Sequence, residues 1–322
     1  MNNYKLTVSH APFWHDGDSI FKMNLNILIA LLPAVFFGII QFGAPAVGVL
    51  ALSLSSAMFW EFIMSIISKD KIRIGDLDSA VIGLLFGMML PATSPWWLVI
   101  TGTFVAVVIG KIIFGGLGAN PFNPALIGMA FLMLSWNTFF DFDAVYVNYD
   151  FDFTALAPLA ALKFMGVQEI SGMFSANELL MGRQIGAIGS TFGLGLIIGG
   201  IYLILRGYTR WEITVSFIAG IVITAYCFNI ANPDEYAGPM IHLLSGYTLL
   251  GAFFLSTENS SSPANIIPML IYGFFAGVMI ILMRNLGAYA DGTVLAILLA
   301  NLVNPLVDTI KPKALGKGAN NA

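Results

Sequence analysis

Apolar residues fall into ten runs: Leu25 to Gln41, Val47 to Ser68, Ser79 to Leu90, Trp96 to Ile113, Pro124 to Phe140, Ile185 to Leu205, Ile213 to Ile230, Met240 to Leu255, Ile266 to Met283 and Thr293 to Val307. A helix needs about 20 mostly apolar residues to cross the hydrocarbon core of a bilayer. The pattern therefore predicts an all-α integral membrane protein of about ten transmembrane helices, with the whole chain as one membrane domain. Composition points the same way, with 58% hydrophobic and 10% charged residues, where soluble domains carry about a quarter charged.

If the spans alternate in order, Lys5, Lys22, Lys69, Lys71, Arg73, Lys111, Arg206, Arg210, Lys311, Lys313 and Lys317 share one side and Lys163, Arg183 and Arg284 the other. Basic residues collect on the cytoplasmic side, so both termini are expected there, in the cytoplasmic membrane of a bacterial or archaeal-type cell. The connection 141–184 carries Asp141, Asp143, Asp150, Asp152, Glu169 and Glu178 and is expected to form an acidic cap outside the membrane. The basic tail 309–322 is expected to be a disordered cytoplasmic end. The start, MNNYKLTVSH, lacks the features of a cleaved signal peptide and is expected to stay on the mature protein. A net charge of −4 with no Lys/Arg stripe argues against nucleic acid as a partner.

The two halves echo each other. LLFGMMLPATSP (Leu84 to Pro95) resembles LLGAFFLSTENSSSP (Leu249 to Pro263), and Leu117-Gly118-Ala119 resembles Leu286-Gly287-Ala288. Five spans per half place the second copy upside down, predicting inverted five-helix repeats over 22–140 and 185–308. Short or interrupted runs at matching places, Ser79 to Leu90 with Met240 to Leu255, and the runs after GGLGANPFNPA and RNLGAYADGT, mark candidate broken helices where ligands bind.

Cofactor chemistry is narrowed by what the chain lacks. One cysteine, Cys227, and three histidines cannot build a four-thiolate iron-sulfur cluster or a c-type haem attachment, and no Gly-x-Gly-x-x-Gly dinucleotide unit occurs. Any redox role needs an organic cofactor, no metal site is expected, and Cys227 reads as a small buried hydrophobe. Glu61 sits deep in the second run, where an ionisable group implies function or a pairing, for instance to a partner subunit. Asp76 and Asp78 open the third run, with helix capping favoured over ion conduction. Arg183, beside the acidic cap, suits either loop carboxylates or a phosphate. His242 is expected at the outer surface, as an interfacial residue or a ligand contact. In Ser245-Gly246-Tyr247-Thr248 a hydroxyl stands beside a glycine; taken alone this is weak, since a threonine in a membrane helix ordinarily bonds its own i−4 carbonyl.

Six stretches together carry a family resemblance: VSHAPFWHDGDSIFKMNLNILIALLPA, IGDLDSAVIGLLFGMMLPATSPWW, GGLGANPFNPALIGMAFL, GRQIGAIGSTFGLGLIIGGIYLI, HLLSGYTLLGAFFLSTENSSSP and LLANLVNPLVD. They resemble the RnfD/NqrB family of membrane subunits from ion-translocating redox complexes, and cover nearly the whole chain. The long N-terminal region usual in the NqrB branch is lacking, which favours the RnfD branch.

The resemblance implies an electron-carrying subunit of a complex that couples ferredoxin:NAD electron transfer to Na+ or H+ translocation. It implies FMN esterified through its phosphate to Thr248 by a separate flavin transferase, with Ser245, Gly246 and Tyr247 completing the motif. Tyr247 stands where the family commonly has alanine. The resemblance also implies non-covalent riboflavin, with Asn120, Pro121, Phe122 and Asn123 as candidate neighbours. The implied partners are the complex's iron-sulfur, NADH-binding and second covalent-FMN subunits, within the lipid bilayer. Rival readings are a small-solute channel or transporter of the same architecture, and a scaffold whose SGYT motif is vestigial.

Overall fold

The computed structural model describes residues 17–69, 74–153, 156–170 and 172–310. His10, His15, Lys5, Lys71, Arg73 and the tail from 311 onward lie outside the described residues, and with them the expectations about both ends. Among the described residues the regular structure is helical throughout.

Four helices are long and apolar enough to cross a membrane: α1 (Ile20–Phe42), α2 (Ala44–Ile67), Trp211–Ala231 and Ile266–Leu286. Five shorter apolar helices join them. In chain order the elements after α2 are α3 (Asp78–Met88), α4 (Trp96–Phe104, running on as wider π-helical turns over Val105–Ile112), α5 (Pro124–Ser135), α6 (Gly193–Leu205), α7 (Trp211–Ala231), α8 (Pro239–Leu244), α9 (Ile266–Leu286) and α10 (Thr293–Val307). The eighth apolar run is split, since α8 stops at Leu244 and helix resumes only at Thr248, to run as π turns to Leu255.

Local chemistry sets these boundaries. The Ser19 hydroxyl accepts from the Lys22 N–H and caps α1. Gly43, at φ 71°, ends α1, and Pro45 lies in the first turn of α2. At α5, the Asn123 side chain accepts from the Ala125 N–H at 3.0 Å, and Pro124 follows as the first helical residue.

Two expected spans are shorter than their apolar runs. The fifth ends at Ser135, with Asn137–Phe140 as a separate tight turn. The sixth starts at Gly193 instead of Ile185, because residues 184–192 run without helix, through a turn at 188–190, against the C-terminal end of α3. There the Gly189 N–H donates to the Met88 carbonyl at 2.8 Å and the Ile188 N–H to that of Leu90 at 3.1 Å. Apolarity measures burial, and a buried run rich in glycine can fill its peptide groups this way as well as by coiling.

The segment between α5 and α6 packs as a set of short helices, including Phe142–Val145, Pro158–Met165 and Ala176–Leu180. Its underside is aromatic, with Phe42 stacked on Tyr146 and Phe151 edge-on to both. The Tyr146 hydroxyl accepts from the Ala92 N–H at 2.9 Å. Burial pushes the Asp143 carboxyl up from its ordinary range, although it accepts from the Ala157 N–H. Lys163 donates to the carbonyls of Gly287 and Tyr289, joining this cap to the α9–α10 connection.

Cys227, expected inside, is exposed on the outer face of α7, beside Tyr226 and near Ile223 and Ile230. The helix is apolar all round, so its sequence does not mark which face turns inward. Its contact with α9 is the most extensive helix pairing, and glycine makes it close. A Cβ on Gly220 would lie 2.5 Å from the Phe274 carbonyl oxygen, whereas one on Gly48 of α2 would meet nothing within 4 Å. Gly220→Val is therefore expected to cost about 3 kcal/mol through forced separation of the two backbones, read as a lowered melting temperature in detergent, while Gly48→Ala leaves that temperature unchanged or slightly raised.

Candidate functional site

The break between α8 and the helix resuming at Thr248 is made by three residues. Ser245 is extended, Gly246 takes φ 66°, and Tyr247 turns the chain back toward helix. Only glycine suits the middle position: its φ is left-handed, and a Cβ there would sit 2.2 Å from Asp291 Oδ2 and 2.7 Å from Leu159 of the cap.

A break frees carbonyls, and in an apolar surrounding these must be repaired. The carbonyls of His242 and Ser245 each lie 2.9 Å from Thr248 Oγ1, which shares its one proton between them. Arg284, from the last turn of α9, donates through Nη1 to the His242 carbonyl at 2.6 Å and through Nη2 to Thr248 Oγ1 at 2.7 Å. Arg284 is 5% exposed, and Thr248 is fully buried.

The guanidinium pairs with Asp291 at 2.9 Å. That carboxylate also accepts from the Thr293 hydroxyl at 2.6 Å, the Thr293 N–H at 3.0 Å and the Tyr247 N–H at 2.7 Å. Burial would raise the Asp291 carboxyl, but Arg284 and these hydrogen bonds outweigh it and hold it below the usual carboxylate range.

Several buried polar atoms around this break find no hydrogen-bond partner among the described residues: Ser245 Oγ, both ring nitrogens of His242 and Arg284 Nε. Buried polar atoms are ordinarily satisfied, so these mark the residues around the break as carrying spare hydrogen-bonding capacity.

The expected site residues divide between the two ends of the eighth run. Ser245, Gly246, Tyr247 and Thr248 stand at the first end, but the Tyr247 ring is buried and its hydroxyl donates to the Met89 carbonyl at 2.8 Å, closing the end of α3. Asn120 and Asn123 stand at the other end. Asn123 donates to the Leu255 carbonyl at 3.0 Å, and Asn120 to Glu258 at 3.2 Å. They line a cleft of about 220 Å³ with Asn24, Asp78 and Glu258, whose carboxyl burial pushes up. Half-buried Pro121 and Phe122 lie between the two asparagines.

Arg183 is exposed and acts on the loop carboxylate Glu178, with its N–H donating to the Glu178 carbonyl. The arginine at Thr248 is Arg284, which the charge pattern along the chain marks only as a basic residue on the outer side; its position in the last turn of an apolar span was the available signal. His242, expected at the surface, is fully buried because α8 turns that face under the break. Glu61 finds its partner within the chain: Lys111 lies 2.7 Å from both Glu61 and Asp78. Asp78 thus spends its carboxylate on Lys111, while half-buried Asp76 offers its carbonyl to Asn24 at 2.7 Å.

Set beside known proteins, the chain matches the sequence profile of the NQR2, RnfD, RnfE family over residues 7–316. It is 35% identical to a subunit of the Na(+)-translocating ferredoxin:NAD(+) oxidoreductase complex of Acetobacterium woodii, covering 96% of this chain and 94% of that one. It is 33% identical to the same subunit of the proton-translocating ferredoxin:NAD(+) oxidoreductase complex of Clostridium ljungdahlii, with 94% and 93% covered. Identity is 30% to the like-named subunit of the ion-translocating oxidoreductase complex of Pectobacterium atrosepticum, over 96% and 98%.

The Arg284–Asp291 pair has a pH signature. A carboxyl depressed in the folded state contributes stability that is present above its unfolded pKa, about 3.9, and is lost as pH falls through the lower folded value. At pH 7, Asp291→Asn, which leaves a buried guanidinium without its anion, is expected to lower stability by about 3 kcal/mol. Melting profiles in detergent are expected to show this gap constant from neutral pH to about 5 and closing below about 4.

Proposed function

This chain belongs to the NQR2, RnfD, RnfE family, and from that premise we propose that it is the electron-carrying, covalently flavinylated membrane subunit of a complex coupling ferredoxin:NAD electron transfer to ion translocation. The ion is Na+ or H+, since relatives named for each match at comparable identity. The partners are the iron-sulfur, NADH-binding and second flavin-bearing subunits of that complex, and a flavin transferase loads the chain.

One observation supports the cofactor reading: the threonine of the SGYT motif stands at a helix break, with a buried cation, Arg284 Nη2, 2.7 Å from its hydroxyl oxygen. A bound flavin supplies one- and two-electron redox chemistry that no side chain here can supply. The chain's part is to hold the phosphate end by Thr248, to offset its charge with Arg284, and to keep water out with the cap that lies over Gly246 through Leu159. Asn120 and Asn123, on the cleft at the other end of the same run, are the proposed neighbours of a non-covalent riboflavin.

The proposed setting is the cytoplasmic membrane with both termini inside and ten membrane segments as two inverted repeats. A correspondence between the halves supports this arrangement. In each, a buried cation late in the fourth segment reaches a residue of the third, Lys111 to Asp78 at the start of α3 and Arg284 to Thr248 where helix resumes after the break. Under inversion these two grips fall on opposite sides of the bilayer.

Peptide mass spectrometry of the chain, produced with a flavin transferase, is expected to find one FMN on the peptide containing Thr248 and none after Thr248→Ala. An unmodified wild-type peptide would remove the covalent-flavin reading.

A further inference from the structure

We propose that the outer groove between α7 and α9 binds an anionic phospholipid, with one acyl chain lying in the groove and the phosphate held at Arg210. This is independent of the cofactor reading.

The two helices run parallel. Gly273 of α9 packs on Ile213 and Ser216, and Gly277 on Phe217 and Ile221, so α7 and α9 start at the same end of the bundle. These glycines draw the inner faces together and leave an outer groove of about 700 Å³. Val215, Ala219 and Ile223 form one wall at helical spacing, and Leu270, Phe274 and Val278 the other. The Ser216 hydroxyl borders the groove but is spent on the Ile213 and Met269 carbonyls. What fills the groove therefore needs no hydrogen bond from it.

This lining favours a hydrocarbon chain over another helix. Helices associate in bilayers through small or polar residues that let backbones approach. In this pair the glycines are used on the inward seam, and Val215, Ile223, Leu270 and Phe274 are exposed on the outside.

Charge at one end selects the headgroup. At 1.5 Å per residue the wall from Val215 to Ile223 runs about 12 Å, and Arg210 lies about 7.5 Å beyond Val215. Trp211, exposed one turn before Val215, suits the boundary between hydrocarbon and headgroups. Arg210 is exposed and forms no ion pair among the described residues, and exposed Arg206 stands four positions earlier. The adjacent acid along the chain, Glu212, is buried. Neither α7 nor α9 has a side-chain cap at its start, so the partial positive charge of two helix ends adds to that of the arginines. A net-positive rim at the end of a wholly apolar groove matches a lipid with an anionic head and an apolar chain.

The full chain is reconstituted in phosphatidylcholine nanodiscs with a trace of phosphatidylglycerol carrying a diazirine on one acyl chain, and labelled residues are mapped by peptide mass spectrometry. Labelling over 211–223 and 266–278 is expressed relative to that of exposed Val47 and Phe59 on α2, which report ordinary lipid contact. This ratio is expected to be about tenfold higher than with a phosphatidylcholine probe of the same chain. Arg210→Gln is expected to lower the preference about fivefold, and Arg210→Lys to keep most of it. Ala219→Phe, which fills the groove, is expected to remove groove labelling by both probes while labelling of α2 persists.

Equal ratios for the two probes are what bulk lipid produces, and would overturn the proposal. An unlabelled groove would overturn it too, and is the result expected of a second copy of the chain seated there. A preference unchanged in Arg210→Gln overturns the placing of the phosphate. Should Ala219→Phe not fold, the two arginine variants, which alter an exposed side chain, carry the test.

Discussion

A peptide group without a hydrogen-bond partner costs several kcal/mol in hydrocarbon, so every interruption of a membrane helix must be repaired by something. In this chain the repairs come from far along the sequence. Arg284 and Thr248 satisfy the carbonyls freed after α8, Tyr247 closes the end of α3 through Met89, and Asn123 closes the π-helical stretch at Leu255. Gln184 donates to the carbonyls of Leu179, Thr191 and Leu244, binding the non-helical approach to α6 against the end of α8. The broken segments are fixed points where distant elements meet.

This is why the candidate chemistry sits where it does. Repairing a break takes buried donors, and buried donors with spare capacity are what an anionic group needs. The pair at Arg284 and Asp291 offsets the cost of burying a cation. The Lys111 cluster has a different character. One cation there serves two carboxylates, Glu61 and Asp78, at 2.7 Å each, which ties α2, α3 and the end of α4 together.

Much of this was legible in the sequence, and what was not follows from what sequence patterns measure. Apolar runs located all the helices from α1 to α10, because burial in lipid or protein demands apolar side chains. They overran α5 and missed the late start of α6, since a glycine-containing non-helical strip such as Gly186 to Gly189 is as apolar as a helix. Thr248 was marked by its motif, which is local. Arg284, 36 positions on, was invisible as its partner because nothing local links them. Lys111 was counted as a membrane-flanking charge, yet it is 2% exposed, so single charges at run ends serve pairing as well as topology. Cys227 was placed on the wrong side because residue type does not set the face of a helix that is apolar all round, and His242 because its burial follows from the break after α8.

The central claim is that electrons pass through a carrier fixed at Thr248. Its most direct test is ferredoxin-driven NAD+ reduction in inverted membrane vesicles containing the whole complex, comparing wild type with Thr248→Ala at matched amounts of assembled complex, with the flavin absorbance followed in parallel. The account predicts loss of one flavin equivalent and of the greater part of the NAD+ reduction rate. An unchanged rate in a complex that has lost that flavin would contradict it.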